Sequence, residues 1–312
     1  MAAEVVMIGW SEERQTLLPL FDLARQAAAE ASERILAHYQ GEFEMFRKEI
    51  GTHTGDIVTS ADHEAQRVIL QRLACASPAL LEQTALLAEE MADHQFAERF
   101  QRPYVFLIDP LDGTRGFVDR TNSFAVSIGL VRQNHQPLFG VVDLPGIGHQ
   151  FSGWADGPVF GNGLALRPRE LAGQELVLWV SEAEIFPSEK NHLWHALIAS
   201  LRARLPISRA RVQVLASPVH KGVQLLSSPP GLYLGLPRRS KGVSLWDLAA
   251  IAALVQGSGG HVSDARGEAL ELNRQESTYC HHHGFVFASH PEIGEEVLRF
   301  LRNDYPNHHF DA

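Results

Sequence analysis

Apolar residues recur every three or four positions along 11–40: Leu17, Leu18, Phe21, Leu23, Ala24, Ala27, Ala28, Ala31, Ile35 and Leu36. That spacing predicts one long amphipathic helix. Ser11 can cap it, and Glu13 sits in its first turn, where the helix dipole favours a carboxylate. Pro19 either kinks this helix or marks a later start. Residues 43–58 read as extended chain with a turn at 51–55. Residues 60–74 read as a second helix, with Ile69, Leu70 and Leu73 on one face. Strands follow. Residues 86–88 make a short one, and 104–108 form a continuous apolar run, as expected of a strand covered on both faces. Residues 124–132 and 138–144 are joined by 133–137 as a candidate hairpin. A glycine-rich turn lies at 157–163.

Beyond about residue 165 strands and helices alternate. Strands are expected at 176–180, 231–236 and 284–288, and helices at 191–205, 246–256 and 291–302. Two coupled α/β halves are implied, 1–165 and 166–312, with no long linker, internal repeat or low-complexity tract.

Composition narrows the function class. The 312 residues are 45% hydrophobic and 21% charged, which is ordinary globular chemistry. The net charge of -10 argues against binding nucleic-acid polymers or anionic membranes, since both need basic surfaces. It does not argue against a small phosphorylated ligand whose charge a bound cation offsets. Cys75 and Cys280 are the only cysteines, too few for a disulfide scaffold, and no Cys-x-x-Cys zinc spacing occurs. No secretory signal is apparent at the N-terminus, and no apolar run reaches the ~18 residues needed to span a bilayer. A cytoplasmic protein is expected.

The segment Ile108-Asp109-Pro110-Leu111-Asp112-Gly113-Thr114 carries the strongest chemical signal. Two carboxylates follow a buried-looking strand, which Pro110 is expected to end. Such a pair suits hard cations, with the Leu111 carbonyl between them as a further oxygen. The Gly113 and Thr114 amides can cradle a phosphate oxygen. An Asp-rich turn is the plain alternative. Further acids stand in matching contexts. Asp56 and Asp62 flank Ile57-Val58-Thr59-Ser60-Ala61, Glu89 and Glu90 follow Leu87-Ala88, and Asp247 opens an apolar helix after Ser244-Leu245-Trp246. Singly, each has an ordinary reading as a first-turn or surface carboxylate.

In this order the four motifs resemble the inositol monophosphatase superfamily, which includes fructose-1,6-bisphosphatases and 3′(2′),5′-bisphosphate nucleotidases. The resemblance runs from about Asp56 to Ala288. Residues 112–120, with Phe124-Ala125-Val126 after them, look most like the bacterial bisphosphate nucleotidases, which carry an Arg at the position of Arg120. Three departures stand out. Ile251 replaces a usual Gly, residues 216–223 match the usual Gly-Ser…Lys segment poorly, and the loop before Trp246 is longer.

The resemblance implies a layered α-β-α-β-α sandwich of the sugar-phosphatase type, with the metal site between the halves. It implies a magnesium-dependent phosphate monoester hydrolase. Glu89, Asp109 and the Leu111 carbonyl would hold one ion, Asp109, Asp112 and Asp247 a second, and a third, weaker ion is conceivable near Glu89. Manganese would substitute. Asp56 and Thr114 resemble the dyad that deprotonates the attacking water. Gly113, Thr114, Arg120 and Asp247 would contact substrate. Lithium inhibition and homodimers occur in the superfamily, and the sequence leaves both open here.

Other features have two readings each. Arg238, Arg239 and Lys241 form a basic island that either grips a second phosphate or is solvated. Trp154 and Tyr233 either stack on a base or pack internally. His281-His282-His283 suggests a metal ligand set, but in extended chain neighbouring side chains face opposite ways. The functions in contention are a nucleotidase acting on adenosine 3′,5′-bisphosphate, an inositol or sugar monophosphate phosphatase, and a catalytically silent binder. The last would be expected to have lost at least one of the acidic residues.

Overall fold

The computed structural model describes residues 11–47, 57–91, 93–166, 170–181, 189–227, 229–238, 242–280 and 282–303. Helix α1 (Glu12–Gln40) begins where Ser11 accepts the Arg14 N–H. It continues through Pro19, which therefore marks no later start. Pro19 is on the exposed side of the helix, while Leu17, Leu20, Phe21 and Ala24 bury the opposite face. Strands β1 (Met45–Arg47) and β2 (Ile57–Thr59) pair antiparallel and lead into α2 (Ser60–Leu73). A short helix α3 (Pro78–Leu81) then precedes the first large sheet.

That sheet has seven strands in sequence order: β3 (Thr84–Ala88), β4 (Tyr104–Asp112), β5 (Ala125–Arg132), β6 (Pro137–Leu144), β7 (His149–Trp154), β8 (Val159–Gly161) and β9 (Leu164–Ala165). Only β3 and β4 run parallel; the other neighbours are antiparallel. A short helix α4 (Thr114–Val118) links β4 to β5. The second sheet comes from β10 (Glu175–Val180), β11 (Arg209–Val214), β12 (Gly231–Gly235), β14 (His261–Ser263) and β16 (Phe285–Ala288), in the order β11-β10-β12-β16-β14. Helices α5 (Glu189–Arg204), α6 (Pro218–Ser227), α7 (Leu245–Gly257) and α8 (Pro291–Asn303) accompany it, with the small pair β13 (Val243–Ser244) and β15 (Tyr279–Cys280).

Side-chain alternation along the strands builds the layers. Phe106 and Ile108 face one core with α1 and α2. Val105 and Leu107, between them, face a central core with α6 and α7. On β10, Val177 and Trp179 join that central core, whereas Leu176, Leu178 and Val180 face α5 and α8. The order is helices, sheet, helices, sheet, helices, the α-β-α-β-α sandwich expected. Because α7 lies between two sheets it is apolar all round, and every residue from Leu245 to Val255 is buried. Gly129 and Gly140 let the first sheet approach it: a Cβ at Gly140 would stand 2.2 Å from the Ala250 carbonyl oxygen. Ile251 is a packing residue. Its side chain fills the space beside Gly222 of α6, where a Cβ would lie 2.4 Å from Ile251 Cδ1. The bulk that Ile251 adds to one helix is thus accommodated by a glycine on the other.

Candidate active site

Residues three apart on a regular strand point to opposite faces. Asp109 and Asp112 escape this through a bulge. Asp109 pairs with Ser127 and Asp112 with Ala125, so Pro110 and Leu111 oppose the single residue Val126. Strand β4 therefore does not end at Pro110, as the sequence suggested. The bulge absorbs the missing N–H, and the strand runs on to Asp112. Asp109 Oδ1 accepts the Leu111 N–H at 2.9 Å, which holds the bulge. Asp247 arrives from the first turn of α7, where its Oδ2 accepts the Ser244 N–H at 3.0 Å. Carboxylate oxygens of Asp109, Asp112 and Asp247 lie within 4.8 Å of one another, and the three residues are only 2%, 5% and 7% exposed.

Three buried carboxylates so close repel one another and are poorly solvated. Asp109 and Asp247 are held well above the usual carboxylate range, first by burial and then by neighbouring acids. Asp112 is pushed up to about 6 by burial, against the opposing pull of Ser217, Val219 and Lys221. Glu89, whose N–H donates to the Ile108 carbonyl at 3.1 Å, adds its negative charge to all three. An all-oxygen, negatively charged, buried donor set fits a hard divalent cation.

Ser217 and Lys221 come from the segment that resembled the family least. Ser217 Oγ donates to Asp112, and the Val219 N–H donates to Asp112 Oδ2 at 3.0 Å. Lys221 is fully buried; its ammonium donates to Ser181 Oγ at 2.6 Å and to the Leu215 and Ala216 carbonyls. The available signal was Ser217-Pro218, a cap-and-first-turn pair opening α6, with Lys221 one turn later.

Gly113 follows the carboxylates with φ of 78°, and a Cβ there would meet the Ser123 carbonyl oxygen at 2.5 Å. Both facts demand glycine. Thr114 Oγ1 lies 3.1 Å from the Leu111 carbonyl and 3.2 Å from Asp62 Oδ1. Asp62 is also the capping carboxylate of α2, accepting from the Thr59 N–H at 2.7 Å and the Thr59 hydroxyl at 2.6 Å. Burial raises it to about 7. Asp56, the partner expected for Thr114, lies outside the described residues.

The remaining sites divide. Arg120, expected at the substrate, has its guanidinium over the Tyr39 and Phe43 rings and donates to the Gly41 carbonyl at 3.3 Å. Trp154 packs on Phe21 and Phe139, and Tyr233 on Phe285 and Phe287, so both are core residues. Arg239, Lys241 and His281 lie outside the described residues. His282 and His283 do not face opposite ways: the chain bends there and their ring centroids are 4.1 Å apart.

Known proteins resemble this chain in sequence and fold. The family model for "Inositol monophosphatase family" matches residues 17–303. A bisphosphate nucleotidase, 3'(2'),5'-bisphosphate nucleotidase CysQ of Aggregatibacter actinomycetemcomitans, is 33% identical over 40% of this chain and 44% of its own length. The chain thus spans under half of that relative. Inositol monophosphatase 2 of Rattus norvegicus is 29% identical over 81% of this chain and 82% of its own. CysQ of Salmonella typhimurium is 28% identical over 81% and 93%. Among solved structures, the extragenic suppressor protein suhB of Bartonella henselae superimposes with a TM-score of 0.65 at 21% identity, covering 91% of this chain and 98% of that one. Among the described residues no helix is long and apolar enough to cross a membrane. With the family's metal-dependent chemistry matched by a buried carboxylate triad on the same layered fold, the chain belongs to the inositol monophosphatase family and is a metal-dependent phosphoric monoester hydrolase.

Proposed function

We propose that this phosphatase is a 3′(2′),5′-bisphosphate nucleotidase, releasing phosphate from adenosine 3′,5′-bisphosphate with magnesium in the cytoplasm. The observation that carries the phosphatase chemistry is the buried cluster Asp109, Asp112 and Asp247 beside the Thr114–Asp62 hydrogen bond. The similarity to nucleotidases of 112–120, with Phe124-Ala125-Val126, supports the substrate.

Asp109, Asp112 and Asp247 would hold one magnesium ion, and Glu89, Asp109 and the Leu111 carbonyl a second. Bound there, the ions would neutralise a phosphate dianion, acidify water and hold the departing oxygen. The chain's own residues do the rest. The Gly113 and Thr114 amides donate to phosphate oxygens and orient the phosphorus. A threonine hydroxyl is too weak a base alone. Between an attacking water and a carboxylate it relays a proton, accepting from the water and donating to its partner. Asp62 is the described partner, and its value of about 7 suits proton uptake near neutral pH. Asp56 matches the family's position for the same role. Ser217, Val219 and Lys221 hold Asp112 in its ionised, correctly turned state. Water attacks phosphorus directly, since no Cys or His stands at the matched positions.

The test is phosphate release from adenosine 3′,5′-bisphosphate, inositol 1-phosphate and fructose 1,6-bisphosphate, with magnesium, with EDTA, and in Asp109→Asn. Preference for the nucleotide, lost with EDTA and in the variant, is expected. Preference for a polyol phosphate would keep the mechanism and overturn the substrate, a reading that the long match to inositol monophosphatase 2 favours.

A further inference from the structure

A second ligand cluster stands apart from the carboxylates. Glu271, His282 and His283 each bring one ligand atom, and the three atoms lie within 4.8 Å of one another. His282 Nε2 is 2.5 Å from Glu271 Oε2, and Asp264 Oδ2 is 3.4 Å from His283 Nδ1. The donors are two imidazoles, one carboxylate and a second carboxylate alongside. This is a mixed nitrogen–oxygen set, the kind that zinc and its neighbours in the first transition row take and magnesium does not.

The geometry is built in. Leu270 and Leu272, on either side of Glu271, are buried in the central core, as are Cys280 and Phe285 around the two histidines. Both ligand-bearing segments are therefore anchored on both sides. Gly284, with φ of 65°, turns the chain after His283, and a Cβ there would stand 2.2 Å from the Gly235 carbonyl oxygen. Asp264 is 4% exposed and is pinned by the Arg266 and Glu268 N–H groups at 2.8 and 2.9 Å. A tetrahedral ion with ligands at ~2.0–2.1 Å keeps them ~3.4 Å apart, so the His282–Glu271 pair must open by about an ångström to admit one.

We propose that Glu271, His282 and His283 form a second metal site, selective for zinc-like divalent ions and separate from the catalytic carboxylates. Two guanidiniums compete for the same groups. Arg266 donates to His283 Nδ1, and Arg274 Nε lies 3.6 Å from Glu271 and 3.1 Å from Glu276. Asp264, Glu271 and Glu276 outnumber them, so the local field still favours a cation. Burial first, and then neighbouring cations, lower the basicity of both histidines against the opposing pull of Glu271 and Asp264.

The site has a structural consequence. Residues 271–283 enclose β15, which pairs Tyr279 with Ser244 and Cys280 with Val243. The Thr278 carbonyl accepts the N–H of Leu245, the first residue of α7, at 2.8 Å. An ion at the cluster would fasten the strand beside the helix start that carries Asp247.

The test uses the full-length, tag-free chain stripped of metal. It is titrated with Co²⁺ as a visible probe, then challenged with Zn²⁺. His283→Ala, Glu271→Gln and Asp109→Asn are run in parallel, with circular dichroism to confirm folding. The expected result is one Co²⁺ with the strong visible bands of a nitrogen-containing, low-coordinate site, displaced by Zn²⁺. Affinity should fall about tenfold or more in His283→Ala and Glu271→Gln and stay unchanged in Asp109→Asn. Should His283→Ala fail to fold, the isosteric Glu271→Gln decides alone. Equal binding by wild type and Glu271→Gln, or loss of the signal in Asp109→Asn only, would overturn the proposal and leave an ion-pair network.

Discussion

The two ligand clusters differ in the properties that govern what they hold. Asp109, Asp112 and Asp247 offer oxygen alone, are almost wholly buried, and meet only because a strand bulge and a helix start converge. Glu271, His282 and His283 offer nitrogen and oxygen, are half-buried, and come from one loop and one bend with guanidiniums beside them. The first carries more negative charge than Lys221 offsets, and protons or a cation must relieve the rest. The second is partly offset by Arg266 and Arg274, so an ion there competes with guanidiniums for the same groups. Burial with too little counter-charge marks a site that needs its metal; arginines among the ligands mark one where metal competes.

The largest effect that would break this contrast is at Asp109. Asp109→Asn should lower kcat/KM by about 10³-fold or more, about 4 kcal/mol of transition-state stabilisation, while leaving cobalt binding at the histidines intact. Steady-state kinetics at saturating magnesium check it. Next are the relay groups. Thr114→Val and Asp62→Asn should each cost about 10²-fold in kcat with smaller changes in KM, read from the same assay. If Asp62→Asn is harmless, Asp56 is the sole carboxylate of the relay.

Smaller effects come from the groups behind Asp112. Ser217→Ala and Lys221→Met should raise the magnesium concentration for half-maximal activity by about tenfold, with the change in Vmax smaller. A magnesium titration of each variant measures this. Smallest is the pH dependence of stability in EDTA. The folded state keeps Asp112 protonated up to about 6, whereas the unfolded chain releases that proton near 3.8. Stability from this group is full below about pH 4 and is lost as pH rises through about 6. Asp109 and Asp247 are raised too and act in the same direction. Metal-free Tm should therefore fall by a few degrees from this source as pH rises toward 7, and magnesium should remove the fall. Thermal melts of wild type and Asp109→Asn, with and without EDTA, read the difference.

Several of these residues were legible in the chain itself. Asp109, Asp112 and Asp247 stand in motifs whose order is informative, and all three meet in space. Ser217 and Lys221 leave no local pattern, because Ser217 donates to a carboxylate 105 residues away and the Lys221 ammonium to Ser181, 40 residues away. Asp62 read as a helix cap, which it is; that one oxygen caps α2 while the other takes the Thr114 hydroxyl depends on the long-range approach of β2 and α4. Alternation along extended chain puts adjacent histidines on opposite faces, and the bend at 282–283 voids that rule.

By itself the sequence determined most of the helices and strands and the donor types, and the layering came from the family resemblance. Hydrophobic periodicity is a local property, and oxygen-only ligands are a matter of residue identity. Only the tertiary structure decided which donors meet. Asp109 and Asp112 share a site because one extra residue in β4 reverses the facing of the second, and Ile251 is tolerated because Gly222 faces it. His282 and His283 lie together because the backbone turns. In each case the deciding term is a contact between segments distant along the chain or a backbone dihedral, and neither is encoded in residue spacing alone.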